Sequence, residues 1–150
     1  MNCEIRDRAI VVFLDFDGVL HPANCRAAQL FSNLPRRQRA LTEYPEVRIV
    51  VSSSWRQGRT LLWLRERLGG FGARVVGVTP TLPYQRDWPH RGFECTRWIA
   101  ENAPHVPWLA IDDEPHLFSS NHRVVGCDPS LGFTDEASKE IQRHLTELRA

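Results

Sequence analysis

The amino-acid sequence predicts an α/β protein: a Rossmann-like, three-layer α/β/α sandwich with a mainly parallel sheet. Three observations predict this fold class. Short, continuous apolar runs recur along the chain, and such runs suit strands that are buried on both faces. Segments with helical spacing follow most of these runs, and strands that alternate with helices are typical of a parallel sheet. The 150 residues, 42% hydrophobic and 25% charged, suit one domain over residues 1–150 with a core of its own.

The first half of the chain supplies two strands, each followed by a helix. Ile10–Leu14 is an unbroken apolar run that ends at acidic residues, and Val47–Val51 is a second such run. A proline at the first turn favours a helix over 35–43, because proline lacks the N–H that the first turn leaves unpaired. Residues 60–68 form a second helical pattern, which a Gly-Gly pair ends.

The second half continues the alternation around a proline-rich loop. Its last helix is the best marked, because Thr134 suits the N-cap and two acidic residues follow in the first turn. The apolar face of that helix consists of Ala137, Ile141, Leu145 and Leu148. The predicted elements are a strand at 74–78, a loop at 79–91, a helix at 93–102, strands at 108–111 and 123–125, and the helix at 135–149.

The composition excludes several classes of protein. Lys and Arg number 19 and Asp and Glu number 18, so the formal net charge of +1 argues against a broad basic surface for nucleic acid. No apolar run approaches the roughly 20 residues that span a membrane. The first residues lack the apolar segment of a signal peptide, which predicts a cytoplasmic protein. The four cysteines of the chain are far apart in the sequence, without the close spacing of a zinc site. They are therefore expected to be free thiols.

Acidic side chains follow two of the predicted strands. Asp15 and Asp17 come directly after the first strand, and Asp112 and Asp113 follow the strand at 108–111. Ligands of such folds bind beyond the carboxyl ends of the strands. A turn would explain one Asp-Gly pair, but it does not explain a second acidic pair elsewhere. Carboxylates buried together need a cation, and Mg²⁺ prefers oxygen ligands, so the sequence predicts a magnesium site.

Four segments together resemble the motifs of the haloacid dehalogenase (HAD) superfamily. VVFLDFDGVLHP resembles the first motif, hhhhDxDG; IVVSSSW resembles the second, a strand that ends in Ser or Thr. HRG before a helix resembles the third, which holds phosphate, and WLAIDDE resembles the fourth, an apolar strand that ends in paired acids. A narrower resemblance, carried by DFDGVLHP, SSSWR, RGFE and DPSLGFTDE, is to the small HAD domains of Swiss army knife RNA repair proteins.

The resemblance implies a phosphatase mechanism with assigned carboxylates. Asp15 corresponds to the nucleophile, which forms an aspartyl-phosphate and so divides a difficult hydrolysis into two steps. Asp17 corresponds to the general acid and base. Asp15, the Asp17 backbone carbonyl and Asp112 would hold Mg²⁺, and Asp113 would do so directly or through water.

The resemblance also implies which side chains hold the phosphoryl group. Ser52 or Ser53 would hydrogen-bond a phosphoryl oxygen, and the sequence leaves the choice open. Arg91 would stabilise the charge of the transferring group, although lysine is commoner at this position of the superfamily. The chain has one lysine, Lys139, which lies in the last helix, and Arg86 is a nearby rival of Arg91.

The intervals between the motifs leave little room for the cap domain that covers the site of many HAD enzymes. Asp15 to Ser52 spans 37 positions (52 − 15), and Ser53 to Arg91 spans 38 (91 − 53). An open site admits bulky substrates, so we expect a Mg²⁺-dependent phosphatase that acts on a substrate such as a nucleic-acid end, or on a nucleotide. The alternatives are a non-catalytic or regulatory HAD-like domain and a phosphotransferase.

Other polar and aromatic residues are expected to be mainly structural. His21 follows the nucleophile loop, where a plain loop histidine is favoured over a site residue. Trp55 suits either substrate contact or packing. Arg36, Arg37 and Arg39 form a basic cluster that is expected to be a solvated helix face rather than a polyanion site. The tryptophans that are expected in the core are Trp63, Trp98 and Trp108.

Overall fold

The computed structural model describes residues 8–149, so Cys3 and most of the N-terminal segment on which the expectation about a signal peptide rests lie outside the described residues. A five-stranded sheet with every neighbouring pair parallel forms the centre, in the order β3-β2-β1-β4-β5. The strands are β1 (Ile10–Leu14), β2 (Val47–Val51), β3 (Val75–Val78), β4 (Trp108–Asp112) and β5 (Val124–Gly126). The parallel sheet with its helices confirms the predicted fold class.

The register of the three central strands brings their carboxyl ends to one edge of the sheet. Leu14 of β1 pairs with Val51 of β2 on one side and with Ile111 of β4 on the other. The residue that follows each of these positions therefore lies at the same edge. These residues are Asp15, Ser52 and Asp112.

Four helices cover the two faces of the sheet. They are α1 (Leu34–Leu41), α2 (Leu61–Arg67), α3 (His90–Asn102) and α4 (Asp135–Arg149). Ile10, Val12 and Leu14 belong to a core cluster with buried residues of α1, α2 and α4. Val11 and Phe13 point to the other face, where they pack with buried residues of α3. This alternation along β1 is what a strand buried on both faces requires. None of the four helices within residues 8–149 has the length and apolar character to span a bilayer.

Most element bounds agree with the sequence patterns. β1, β2 and α4 have the predicted bounds, and the Ala137 N–H donates to Thr134 Oγ1 over 3.2 Å, which is the predicted N-cap bond. The prediction for α1 was two residues too long at its C-terminal end. The residue before Pro45 is biased away from helical backbone, which ends the helix early. Three cysteines within the described residues, Cys25, Cys95 and Cys127, are free.

Helix α3 begins three residues earlier than predicted, so the predicted loop through residue 91 was wrong. His90 and Arg91 belong to its first turn. Gly92 lies in the same turn and permits close packing: a Cβ there would lie 2.7 Å from His122 Nδ1 and 3.2 Å from Phe118 Cα. Pro89 precedes the helix and suits its start. The correction places Arg91 on a regular element rather than on a mobile loop.

The connections in which the resemblance to HAD motifs predicts any cap domain contain only short elements. Within residues 15–46, the structure has a 3₁₀ segment, Ala27–Gln29, and the core helix α1. Between β2 and β3 it has α2 with two 3₁₀ segments, Ser54–Arg56 and Gly69–Arg74. The part of the chain that the structure describes therefore carries no substantial cap, as predicted. The prediction of one domain over 1–150 includes residues outside the described range and stays a prediction.

The basic cluster of α1 is not the solvated face that the sequence predicted. Arg37 is fully buried, none of its guanidinium nitrogens has a hydrogen-bond partner, and its guanidinium lies 5.5 Å from the ring centroid of Phe71. Burial, assisted by the charge of Arg74, lowers the pKa of Arg37. Arg36 forms an ion pair with Asp135, at 3.2 Å. Only Arg39 of the cluster is exposed, because one turn of α1 faces the core.

Candidate active site

Three carboxylates from two strand ends form an acidic cluster. Asp15, Asp112 and Asp113 each place one carboxylate oxygen within 4.8 Å of the others. Local backbone groups fix two of them: the Phe16 N–H donates to Asp15 Oδ1 and the Glu114 N–H donates to Asp112 Oδ1, both at 2.8 Å. The structure thus brings together the two acidic pairs of the sequence at one edge of the sheet.

The acidic cluster has more negative charge than its surroundings balance. Burial and the charge of Asp15 raise the pKa of Asp112 to about 7, while burial and a hydrogen bond to Asp15 raise the pKa of Asp113 to about 8. Within residues 8–149, the ion pairs that reach this cluster all come from Arg91. Three carboxylates facing one guanidinium suit a divalent cation, and oxygen donors are the ligands that Mg²⁺ prefers. The residues present therefore fit a magnesium ion.

Arg91 lies beside the carboxylates of Asp15 and Asp112. Its Nη1 lies 3.2 Å from Asp112 Oδ2 and 3.4 Å from Asp15 Oδ1. Burial by itself lowers the pKa of Arg91, but the neighbouring carboxylates outweigh burial and raise it. Arg91 Nε is buried and has no hydrogen-bond partner. Arg86, the rival in the sequence, has a side chain that is 91% exposed and contacts Asp87 instead, at 3.9 Å.

Gly18 allows the first motif to approach Asp113. Its φ of +75° is a backbone conformation that favours glycine. A Cβ at this position would collide with the carboxylate of Asp113. Both observations explain why glycine follows the second aspartate of the DFDG segment.

The two candidate serines differ in their hydrogen bonds. Ser53 Oγ accepts a bond from the Trp55 N–H at 3.2 Å. Ser52 Oγ is buried and has no hydrogen-bond partner. Ser52 directly follows β2 and its N–H donates to the carbonyl of Leu14, at 3.0 Å. A buried hydroxyl without a partner carries a desolvation penalty that a ligand can relieve, which favours Ser52 as the phosphate contact.

A buried arginine holds the serine segment in place. Arg56 Nη1 donates to the carbonyls of Ser52 and Ser53, at 3.1 and 2.8 Å, and its Nε donates to the carbonyl of Thr79 at 3.0 Å. Its Nη2 forms an ion pair with Glu94 Oε2 at 3.1 Å, and both side chains are almost completely buried. Arg56 therefore joins the end of β2 to the loop after β3 and to α3. It supports the site rather than contacting substrate.

Asp17 lies beside the acidic cluster, and its carboxylate is held by two side chains that sequence reasoning did not assign. Trp55 Nε1–H donates to Asp17 Oδ2 at 3.0 Å, and His21 Nε2 lies 2.7 Å from Asp17 Oδ1. The Phe31 N–H donates to His21 Nδ1 at 3.2 Å, so the neutral imidazole carries its proton on Nε2 and donates to Asp17. His21 is only 1% exposed, which corrects its description as a plain loop histidine. The interval of four residues between Asp17 and His21 was the feature of the sequence that could have indicated this contact.

One family model matches most of the chain. It is described as the HAD domain in Swiss Army Knife RNA repair proteins, and it matches residues 11–138. No curated protein and no solved structure matches the chain significantly. The matched range includes four strands completely, all of β1 except Ile10, and every residue of the site, and HAD domains are generally hydrolases of the phosphatase type. The chain therefore belongs to the family of HAD domains found in Swiss Army Knife RNA repair proteins.

Proposed function

We propose that the protein is a Mg²⁺-dependent phosphatase that hydrolyses phosphoric monoesters through an aspartyl-phosphate on Asp15. One observation carries the proposal: a nucleophile-bearing strand end and a second acidic pair form one cluster beside a single arginine. Such an arrangement is unfavourable in a metal-free protein, because like charges are buried together. It is favourable once a divalent cation and an anionic phosphate are bound.

The metal would be held by the side chains of Asp15, Asp112 and Asp113 with the backbone carbonyl of Asp17. When bound, it offsets the repulsion between an anionic nucleophile and an anionic phosphate. The carboxylate of Asp17 is engaged by His21 and Trp55 instead. We therefore assign the three carboxylates of the acidic cluster to metal binding and the carboxylate of Asp17 to proton transfer.

The chain's own residues perform two successive displacements. An oxygen of Asp15 forms a bond to phosphorus as the bond from phosphorus to the leaving oxygen breaks, and Asp17 gives its proton to that oxygen. Asp17 then accepts a proton from water, whose oxygen bonds to phosphorus while the bond between phosphorus and Asp15 breaks. Inorganic phosphate is released, Asp15 is again a carboxylate and Asp17 is again protonated.

Two side chains bind the phosphoryl group during both displacements. We assign Ser52 rather than Ser53, because only its hydroxyl is without a partner. Arg91 stabilises the charge on the equatorial oxygens, since guanidinium keeps its charge and offers a rigid set of donors. Both groups are fixed before the substrate arrives: Ser52 by Arg56, and Arg91 by the first turn of α3.

The substrate class follows from the open carboxyl edge. Short connections replace the cap in residues 15–46 and 52–74, so a bulky substrate can reach Asp15. We propose a phosphorylated polymer, such as a nucleic-acid end, as the substrate, with nucleotides as smaller candidates. An open site excludes water less completely, so weak discrimination among small phosphate esters is expected.

The test measures phosphate release with and without Mg²⁺ from p-nitrophenyl phosphate, nucleotides, phosphorylated oligonucleotides and phosphopeptides. The proposal predicts Mg²⁺-dependent release that Asp15→Asn removes. Asp87→Asn is the matched control, because Asp87 is almost fully exposed and lies outside the acidic cluster. Absence of release from every ester supports the non-catalytic alternative. Transfer of phosphate to added alcohols in preference to water supports the phosphotransferase.

A further inference from the structure

A row of alternating tryptophans and arginines begins beside Asp17. The row consists of Trp55, Arg59, Trp63 and Arg67, at intervals of four residues, and we call it the Arg–Trp stripe. The guanidinium carbon of Arg59 lies 5.1 Å from the ring centroid of Trp55 and 4.7 Å from that of Trp63. The guanidinium carbon of Arg67 lies 4.5 Å from the ring centroid of Trp63. Trp63 packs against the core cluster as predicted, but it is only half-buried and lies at the margin of the core.

The Arg–Trp stripe has a rigid base. Trp55 packs against the rings of Phe16, His21 and Phe31, with centroid separations of 5.8, 5.7 and 5.5 Å. Its indole is also held by the bond to Asp17. Flat guanidinium groups that stack on fixed indoles lose less freedom when they bind an anion.

The cations of the Arg–Trp stripe are exposed and unbalanced. Arg59 and Arg67 are both exposed, and neither belongs to any ion pair within residues 8–149. Surface arginines that pair with acids, such as Arg143 and Arg149, have part of their charge neutralised. The stripe therefore keeps its full positive charge next to the proposed catalytic acid, although the whole chain has a net charge of only +1.

We propose that the Arg–Trp stripe binds the phosphodiester backbone of a single-stranded nucleic acid whose terminal phosphate enters the acidic cluster. This inference rests on the proposed phosphatase function. Asp17 donates its proton to the leaving oxygen, so the rest of the substrate continues from the side of Asp17, where the stripe begins. The guanidinium carbons of Arg59 and Arg67 lie 4.7 and 4.5 Å from the same Trp63 ring centroid, so the two cations are close enough to contact neighbouring phosphates of one strand.

The chemistry of the stripe favours a nucleic acid over an acidic peptide. The indole faces nearest the surface are covered by guanidinium groups, so the stripe presents cationic forks rather than pockets for particular side chains. Such forks bind phosphate and carboxylate oxygens alike in a bidentate manner, but only a nucleic-acid backbone carries such an anion at every unit whatever its sequence. Contacts to the backbone alone carry no sequence information, so we expect length and salt, not base sequence, to control binding.

The experiment compares wild type with Arg59→Glu/Arg67→Glu and with Arg39→Glu. Arg39 is an exposed arginine of α1 that lies outside the stripe, so a single charge reversal there controls for long-range electrostatics. Steady-state kinetics use a single-stranded oligonucleotide with a terminal phosphate, a phosphopeptide with acidic flanks, and p-nitrophenyl phosphate. The milder Arg59→Gln/Arg67→Gln is used if the charge-reversed protein does not fold.

The proposal predicts a specific reduction on the oligonucleotide. The ratio of kcat/KM for the oligonucleotide to kcat/KM for p-nitrophenyl phosphate falls about tenfold or more in the stripe variant. The logarithm of the oligonucleotide binding constant falls linearly with the logarithm of the salt concentration, and the magnitude of this slope decreases by about 0.7 for each phosphate that the variant no longer neutralises. The Arg39 control keeps the wild-type ratio within about twofold, because the Arg39 guanidinium does not stack on either indole of the stripe. An unchanged ratio overturns the proposal, and so does an equal reduction on the phosphopeptide.

Direct binding separates this inference from the proposed function. Fluorescence anisotropy measures a labelled oligonucleotide with wild type and the stripe variant in the presence of a chelator, where hydrolysis is stopped. Weaker binding by the variant supports the stripe even if no ester is ever hydrolysed. Hydrolysis of p-nitrophenyl phosphate combined with equal oligonucleotide binding by both proteins leaves the phosphatase standing and overturns the stripe.

Discussion

The Arg56–Glu94 ion pair and the acidic cluster, in which Asp15 and Asp112 are buried and Asp113 is half-buried, both lie near the carboxyl edge of the sheet. In the first, every charge has a partner: Arg56 binds Glu94 and several backbone carbonyls, and Glu94 also accepts a bond from the Leu82 N–H at 2.8 Å. In the second, three carboxylates share one arginine. The difference distinguishes a structural support, which is complete in the protein alone, from a site that a ligand completes.

The largest expected effect concerns the acidic cluster. Asp15→Asn removes the proposed nucleophile and should lower kcat on p-nitrophenyl phosphate by about 10³-fold or more. The same change removes one negative charge from the cluster, so the metal-free variant should unfold at a higher temperature than wild type. Phosphate-release kinetics and thermal unfolding in a chelator measure both. A loss of activity accompanied by a large loss of stability would contradict the distinction between site and support.

The next effect concerns the Arg56–Glu94 pair. Arg56→Met leaves the Glu94 carboxylate buried without its cation and several carbonyls without the donor that Arg56 supplies, which should lower the free energy of unfolding by about 3–5 kcal/mol. Urea denaturation measures it. Arg56→Met/Glu94→Met should recover part of that loss, because neither charge is then left unpaired. Equal stability of Arg56→Met and wild type would show that the pair is not a support.

A smaller effect tests the side chains that hold Asp17. His21→Ala should lower kcat about 10²-fold on esters with poor leaving groups, since general-acid catalysis contributes about 10²–10⁴-fold. The reduction should be much smaller on p-nitrophenyl phosphate, whose leaving oxygen needs little protonation. His122→Ala is a control at a histidine outside the site. Equal reductions on both classes of ester would mean that His21 is needed for folding rather than for placing Asp17.

A further test concerns the pH dependence of stability without metal. The raised pKa values of Asp112 and Asp113, about 7 and about 8, mean that the folded state binds more protons than the unfolded state above about pH 4. The free energy of unfolding contributed by this pair should therefore fall as the pH rises from about 4 to 8. Added Mg²⁺ should remove the decline, and Asp112→Asn/Asp113→Asn should flatten it. A decline of equal size in that variant would place its origin elsewhere.

Sequence patterns predicted the sheet and the acidic cluster because both depend on local features. Strands β1 and β2 are continuous apolar runs, and parallel strands bring the residues after them to one edge. Asp15, Asp112 and Asp113 could therefore be expected to meet on the basis of the sequence alone. The resemblance to HAD motifs added Arg91, which the structure brings within 3.4 Å of Asp15.

Contacts between distant segments could not be predicted from the sequence. The burial of Arg37 depends on how α1 packs against its neighbours. The need for glycine at position 92 arises because His122 and Phe118 approach that turn of α3 closely. The bond from Trp55 to Asp17 joins residues 38 positions apart. Each of these features results from tertiary packing, which overrides the local preference for a solvated arginine or a glycine turn.

Anomalous diffraction from crystals soaked in Mn²⁺ tests the central claim most directly, because Mn²⁺ accepts the oxygen ligands that suit Mg²⁺. The account predicts one strong peak among the carboxylates of Asp15, Asp112 and Asp113, and its disappearance in Asp112→Asn/Asp113→Asn. An acidic cluster without a peak in wild-type crystals, or with a peak that persists in the variant, would contradict the account.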